Sequence, residues 1–506
     1  MTKTTNSPDR HSDSQAGDGV PLNSNLIHPH SVARNTALLL SFHVFTKLLA
    51  FVSFILLANY LGTEAFGVYN YAFALTALFI PLCDLGMDMY LMREVPKLRE
   101  DQIPVQLGAA LSWKGFMTFL VFLLISLTGS ILDSFGTGRF YIMVIAGLIT
   151  LLRAFWTTFG SLLRAMNKVG YEVVLLSGAR LSEFITIVIS VNAGIDLLTM
   201  LSILAILNLL AVALTYAIVH VKITKPVPIR DFENLLSMIK EGFPFALTSI
   251  FSTIYFNFDT VLVSKFIGDE AAGIYRAAYN LVFPLMNITI SINGALFPFV
   301  SQNYRRDKQK VEGVVRKALT YLVFLGLPIA FGTLILSKDL VHLFFEPEFS
   351  SASISLSILI WFIPIAFLTQ AFSAVLGAIG DQKFVLKIIT VNVLFNVIAN
   401  LFFIPIYAQV GASVIIVATE LIGFIFLFHR ISSKIEHPIE YQRIGKGLFA
   451  LGAMIIFLIY RPFENIPMTI GVAALIYFFI IFVIKALTIQ ELRLITNFKQ
   501  ETHADR

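Results

Sequence analysis

Long apolar runs, interrupted only by short polar intervals, fill the chain from residue 36 to residue 489. A helix needs roughly 20 apolar residues to cross a bilayer. Fourteen runs qualify: 36–60, 66–92, 107–129, 140–163, 171–193, 197–220, 243–267, 271–299, 315–337, 354–380, 385–405, 409–430, 443–461 and 467–489. The pattern predicts an all-α polytopic membrane protein. With the N-terminus placed in the cytoplasm, alternate connections carry Arg93, Lys97 and Arg99, then Arg164 and Lys168, then a basic cluster from Arg305 to Lys317, then Arg430 and Lys434. The connections of the opposite set offer Arg139, Lys338 and Arg461. Cytoplasmic loops hold the excess of Lys and Arg, so both termini are expected in the cytoplasm of a cell whose plasma or inner membrane holds the chain.

One stretch occurs twice. Leu61-Gly62-Thr63-Glu64-Ala65-Phe66-Gly67-Val68-Tyr69 is answered, 206 positions on, by Ile267-Gly268-Asp269-Glu270-Ala271-Ala272-Gly273-Ile274-Tyr275. A repeat at this spacing means two similar halves. Six helices separate the copies, so both halves enter the membrane in the same sense and their pseudo-twofold axis lies along the membrane normal. The expected organisation is a tail at 1–33, a six-helix bundle at 34–220, a linker at 221–242 and a second bundle at 243–430. An additional helix pair follows at 443–489, with a cytoplasmic tail at 490–506. In the linker, Ile229, Phe232, Leu235, Leu236 and Ile239 share one helical face between Pro228 and Gly242, which predicts an amphipathic helix on the membrane surface.

Composition narrows the function. Apolar residues make up 57% and charged residues 14%, against about half and a quarter in soluble domains. No interval is long enough for a soluble catalytic domain. The net charge of +5 reflects basic loops on one side and is no nucleic-acid signature. The single cysteine, Cys83, cannot form an intramolecular disulfide. No P-loop, G-x-S-x-G elbow or Cys/His cluster at metal spacing occurs, so no cofactor, metal or catalytic residue is expected. Transport would have to draw on a gradient. The first 33 residues lack an apolar core and read as a disordered tail rather than a signal peptide.

Ionisable groups inside spanning helices are costly in lipid and mark functional sites. Counting about 1.5 Å per residue puts Lys47, Arg153 and Arg180 near mid-bilayer. Together they would form a cationic, water-accessible pocket for an anionic group such as a pyrophosphate, which guanidinium forks suit. Glu183, one turn from Arg180, and Asp84, within reach of Lys47, could instead neutralise them. Asp88 follows Asp84 by one turn and reads as an interfacial partner of Arg93. Asp259 and Arg276 flank the second copy of the repeat as an ion pair or gate, with Arg276 a further candidate phosphate ligand. Glu420 lies at mid-depth as a candidate for proton or Na⁺ coupling. Lys114 and Lys265 stand near helix ends and are expected to snorkel. Pro81, Pro284, Pro328 and Pro364 interrupt helices and would bend them.

The run from Arg34-Asn35-Thr36 to Tyr69, with Asp84-Leu85-Gly86 and Arg93-Glu94, resembles the opening of the polysaccharide-transport (O-antigen flippase-type) family of the multidrug/oligosaccharidyl-lipid/polysaccharide exporter superfamily. So do Asp259, Gly273-Ile274-Tyr275-Arg276-Ala277-Ala278, Pro298, Asn396, Asn400, Pro405 and Gly411-Ala412 in the second half. The resemblance implies a V-shaped, two-lobed fold like that of the multidrug exporters. It also implies a substrate of polyprenyl-pyrophosphate carrying a short glycan, moved to the outer leaflet for surface polysaccharide biosynthesis. Membrane lipids and glycan-assembly proteins would be its partners. Two further transport readings stay open: a cation-coupled drug exporter using Asp84, Glu183 or Asp259, and a peptidoglycan-precursor flippase. A membrane glycosyltransferase would need a larger outer loop than any here, and a scaffold would not need charges at depth.

Overall fold

Among the described residues, fourteen crossings follow from twelve helical stretches long and apolar enough to span, because two of them each fold back on themselves. The computed structural model describes residues 29–227, 232–436, 438 and 440–487. Residues 1–28 of the expected N-terminal tail, and all of the expected tail at 490–506, lie outside the described residues. The first bundle comprises α1 (Pro29–Ala77), α2 (Ile80–Asp84), α3 (Met87–Glu94), α4 (Ile103–Leu132), α5 (Gly138–Ala165), α6 (Val169–Ala193) and α7 (Leu197–Lys222). The second comprises α8 (Phe232–Phe266), α9 (Asp269–Val282), α10 (Ile288–Asn303), α11 (Lys308–Ile335), α12 (Ser337–Phe344), α13 (Ala352–Leu359), α14 (Phe362–Ala378) and α15 (Gln382–Ser432). The last pair is α16 (Tyr441–Tyr460) and α17 (Ile466–Val483).

Helix α1 holds two crossings joined at Gly62, whose φ of 71° takes the chain out of the helix. The Phe54 and Phe66 rings are 5.3 Å apart, where a straight helix would separate those positions by about 18 Å. Helix α15 turns back at Ala408, held at φ 50° and ψ −139°, a conformation that strains a residue bearing a Cβ. Asn396 Nδ2 donates to Thr419 Oγ1 at 3.3 Å, a pair that would lie about 35 Å apart along an unbroken helix.

The repeated turns pack against each other. A Cβ on Gly67 would stand 1.7 Å from the Asp269 carbonyl oxygen, and one on Gly273 2.0 Å from that of Thr63. Gly67 and Gly273 are repeat equivalents, as are Thr63 and Asp269. The contact is therefore reciprocal, as a pseudo-twofold axis between the bundles requires. Around it one core draws on both bundles, with Leu57, Phe66 and Ile149 meeting Tyr255, Ala272 and Tyr275. The pair α16/α17 packs on α11, where Tyr477 donates its hydroxyl to the Phe324 carbonyl at 2.9 Å.

The linker differs from its expectation. Residues 228–231 lie outside the described set, and from Phe232 the amphipathic stretch continues unbroken into the spanning part of α8. Its apolar face, Leu235 and Met238, is buried against Met87, Leu91 and Phe159 of the first bundle. Gly242 does not end the helix. It permits close approach, because a Cβ there would stand 2.8 Å from the Leu85 carbonyl oxygen.

Candidate functional site

Corresponding helices in the two halves are interrupted at corresponding depths. The second crossing is broken after Ala77 and again at Leu85 (φ 44°) and Gly86 (φ 80°). The eighth is broken by the 3₁₀ turn Phe283–Asn287. Matched interruptions of spanning helices are where transporters place their sites, since irregular backbone is tolerated at depth only inside protein or along a cavity. In the first bundle the charges gather around them.

Lys114 of α4 is 1% exposed. Its Nζ meets Asp84 Oδ1 at 2.8 Å and Asp88 Oδ1 at 2.9 Å, donates to the Ala154 carbonyl at 3.1 Å, and touches Thr158 Oγ1. The Asp84 contact is electrostatic, without the direction of a hydrogen bond. Asp88 also accepts the hydroxyls of Thr157 and Thr158, each at 2.6 Å. Three expectations change here. Asp84 pairs with Lys114 rather than Lys47. Asp88 pairs with Lys114 rather than Arg93, which binds Glu94 and Glu241. Lys114 does not snorkel, because α4 begins at Ile103, a turn earlier than the apolar run implies, and so carries it deeper.

The second cluster lies across α5 and α6. Glu183 Oε1 accepts from Arg153 Nε at 3.1 Å and Nη2 at 2.9 Å, and its Oε2 accepts from Arg180 Nη1 at 2.9 Å. The carboxylate is recessed, 8% exposed at the side chain, while the side chains of Arg153 and Arg180 are 27% and 41% exposed. Phe73 and Trp156 lie under the two guanidiniums, each 5.7 Å from the ring centroid. Two cations share one anion, which leaves a formal charge of +1 on the group. Lys47 does not join them: it is exposed on α1 and makes no ion pair among the described residues.

In the second bundle Asp259 is enclosed, while Arg276 and Glu420 keep partial exposure. Asp259 is 1% exposed, accepting from Tyr275 Oη at 2.5 Å and from the Thr260 amide at 2.6 Å. Arg276 donates to Asn257 Oδ1 at 3.3 Å and lies over Tyr279 at 4.6 Å, so no direct ion pair joins it to Asp259. Glu420 accepts from Tyr255 Oη at 3.0 Å and from Thr369 Oγ1.

Two contacts flank the repeated turns. Asp133 meets Arg139 Nε at 2.8 Å and Lys265 Nζ at 2.6 Å, and Arg139 reaches on to Asp269 at 2.6 Å and Ser264 at 2.8 Å. Tyr71 lies beneath both cations. Lys265 thus crosses to the other bundle instead of snorkelling. Sequence reasoning missed this network, although Asp133 and Asp339 stand 206 positions apart and so recur in the repeat. In the equivalent contact Asn59 donates to the Phe344 carbonyl at 2.9 Å and accepts the Glu346 amide at 3.1 Å. Phe51, Phe54 and Phe66 meet Phe344, Phe345 and Phe349 edge-on, with centroids at 5.6, 5.8 and 6.0 Å. Beside it, a cavity of about 470 Å³ is lined mostly by apolar side chains of α1, α9, α11, α12, α13, α16, α17 and the 3₁₀ turn Phe283–Asn287, among them Phe51, Leu285, Pro328 and Tyr477.

Two repeated bundles, matched helix breaks and charges gathered at depth define a polytopic membrane protein of two related halves. Residues 32–304 match the family described as "Polysaccharide biosynthesis protein", and the chain belongs to that family. Residues 244–402 also match the MatE family. The chain is 24% identical over 220 residues to the "Probable low-salt glycan biosynthesis flippase Agl15" of Haloferax volcanii, covering 42% of this chain and 46% of that protein. It is 28% identical over 207 residues to the "Probable lipid II flippase MurJ" of Helicobacter pylori, covering 39% and 44%. The chain thus spans about half the length of the curated relatives it matches. The fold is similar to that of a solved "Lipid II flippase MurJ, inward closed conformation", with a TM-score of 0.72 at 16% identity, covering 87% of this chain and 96% of that one. It is also similar to an inward-facing multidrug resistance MATE family transporter of the MOP superfamily, with a TM-score of 0.60 at 13% identity, covering 77% and 95%.

Proposed function

We propose that the protein flips a polyprenyl-pyrophosphate-linked oligosaccharide from the cytoplasmic to the outer leaflet by alternating access. The observation that carries this reading is the pair Arg153 and Arg180, partly exposed at mid-depth with one recessed carboxylate between them. Partly exposed guanidiniums in lipid would be costly, so the reading sets them against a hydrated chamber, where forked donors suit the oxygens of a diphosphate. The prenyl tail needs no hydrated path, and the apolar cavity beside Phe51 offers it a place inside the protein. Basic loops set the orientation, with both termini cytoplasmic. The face of the repeated turns, where the bundles meet backbone to backbone, is then the outer face, closed in this conformation. Lys47 and Arg276 would meet the substrate at other stages of the cycle. Asp84, Asp88, Asp259 and Glu420 would serve coupling or gating.

The test is transport by Arg153→Ala and Arg180→Ala, with membrane insertion verified and surface glycan measured in a strain lacking its own flippase. Each loses at least tenfold. Full surface glycan in the double variant would remove the headgroup site.

A further inference from the structure

We infer that Glu183 is an internal stand-in for the substrate's diphosphate, occupying the arginine site between transport events and returning to it to expel the substrate. The inference rests on the headgroup reading above. The carboxylate already makes the contacts a diphosphate would make, one oxygen taking two donors of the Arg153 fork and the other taking Arg180 Nη1. It is also set back: the glutamate is nearly enclosed while both arginines are partly exposed. A ligand would therefore approach from the arginine side and take the donors without displacing the α6 backbone.

The energetics require such a partner. Two guanidiniums held side by side without an anion would repel each other, and a site that held a diphosphate without competition would release it slowly. A carboxylate tethered one turn from Arg180 supplies the competing anion at high effective concentration. The exchange swaps a monovalent partner for a more highly charged one, so binding stays favourable while release stays fast. Glu183 is on this account a positioning residue that sets both affinity and release.

Glu183→Gln keeps the shape and removes the charge, and the two roles it could play predict opposite signs. If Glu183 competes with substrate, the variant binds more tightly. If it only holds the arginines in place, losing it loosens them and binding weakens. The experiment uses the purified full chain in detergent, titrated with farnesyl pyrophosphate as the probe, and the same chain in vesicles for flipping of a fluorescent short-chain prenyl-pyrophosphate sugar. The expected result is about tenfold tighter binding with KM and kcat both lowered, the mark of a removed ground-state competitor. Glu183→Asp restores most of the wild-type kcat. Unchanged or weaker binding by Glu183→Gln, while Arg153→Ala still abolishes binding, overturns the stand-in and keeps the headgroup site. Binding indifferent to Arg153→Ala overturns both. If Glu183→Gln fails to insert, Glu183→Asp decides: the shorter side chain competes less well, so tighter farnesyl pyrophosphate binding than wild type sustains the competition, and unchanged or weaker binding sinks it.

Discussion

The two bundles share a backbone and divide its chemistry. Where the repeated turns meet, Gly67 and Gly273 press on the carbonyls of Asp269 and Thr63 in the same way from either side. Most side chains around that contact have diverged, although Asp133 and Asp339 are alike. Arg139 and Phe345 occupy equivalent positions, as do Lys265 and Asn59. One contact is a chain of ion pairs through Asp133 and Asp269, and the other is a row of edge-on phenylalanines with an amide clasp. The same split runs inward. The first bundle keeps partly exposed arginines around Glu183, and the second bonds Asp259 and Glu420 to hydroxyls. Backbone proximity constrains residue size and is inherited by both halves, whereas charge at depth is retained only where it is used.

The largest expected effect comes from breaking the charged side of that comparison at Lys114. Lys114→Ala leaves two carboxylates without their cation and should cost about 4 kcal/mol, seen as a collapse of thermal stability in detergent. Adding Asp84→Asn and Asp88→Asn should recover most of it. Glu420→Gln, the corresponding test in the second bundle, keeps hydrogen-bonding capacity with Tyr255 and Thr369 and should cost about 1 kcal/mol.

Next comes the shared backbone contact. Gly67→Val and Gly273→Val each force a side chain into a facing carbonyl and should each destabilise by about 3 kcal/mol. Near-equal losses in a thermal shift assay would support the pseudo-twofold contact, and a loss at only one position would break the symmetry. The smallest effect separates the flanking contacts. A double-mutant cycle between Arg139→Ala and Asp269→Ala should give a coupling of about 1 kcal/mol that shrinks in high salt. The Asn59→Ala and Phe345→Ala cycle should couple without salt dependence.

Much of this molecule is legible from the chain because the signals are local. A span declares itself by its own length of apolar residues, and the helix count survives even where α1 and α15 run through their turns. The repeat is equally plain, with Gly67 and Gly273 in register. Arg180 and Glu183 stand one turn apart, so their pairing is readable. Arg153 joining them is not, since it stands 30 positions from Glu183 and only the packing of α5 on α6 brings it there. Lys114 is the harder case: an apolar run marks where a helix is greasy, not where it starts, and α4 starts earlier. The break at Leu85 and Gly86 falls between Asp84 and Asp88, yet both carboxylates reach Lys114 Nζ. Arg276 and Asp259 stand close in sequence yet bond elsewhere, because Tyr275 and Asn257 are better placed.

The amino-acid sequence by itself determined the membrane class, the fourteen crossings, the doubled architecture and the bias of basic loops, all properties of residue type and periodicity along the chain. Only the tertiary structure decided which charges are partners. An ion pair is fixed by distances of a few ångströms between helices, and helix rotation, start point and local breaks set those distances after the chain has packed.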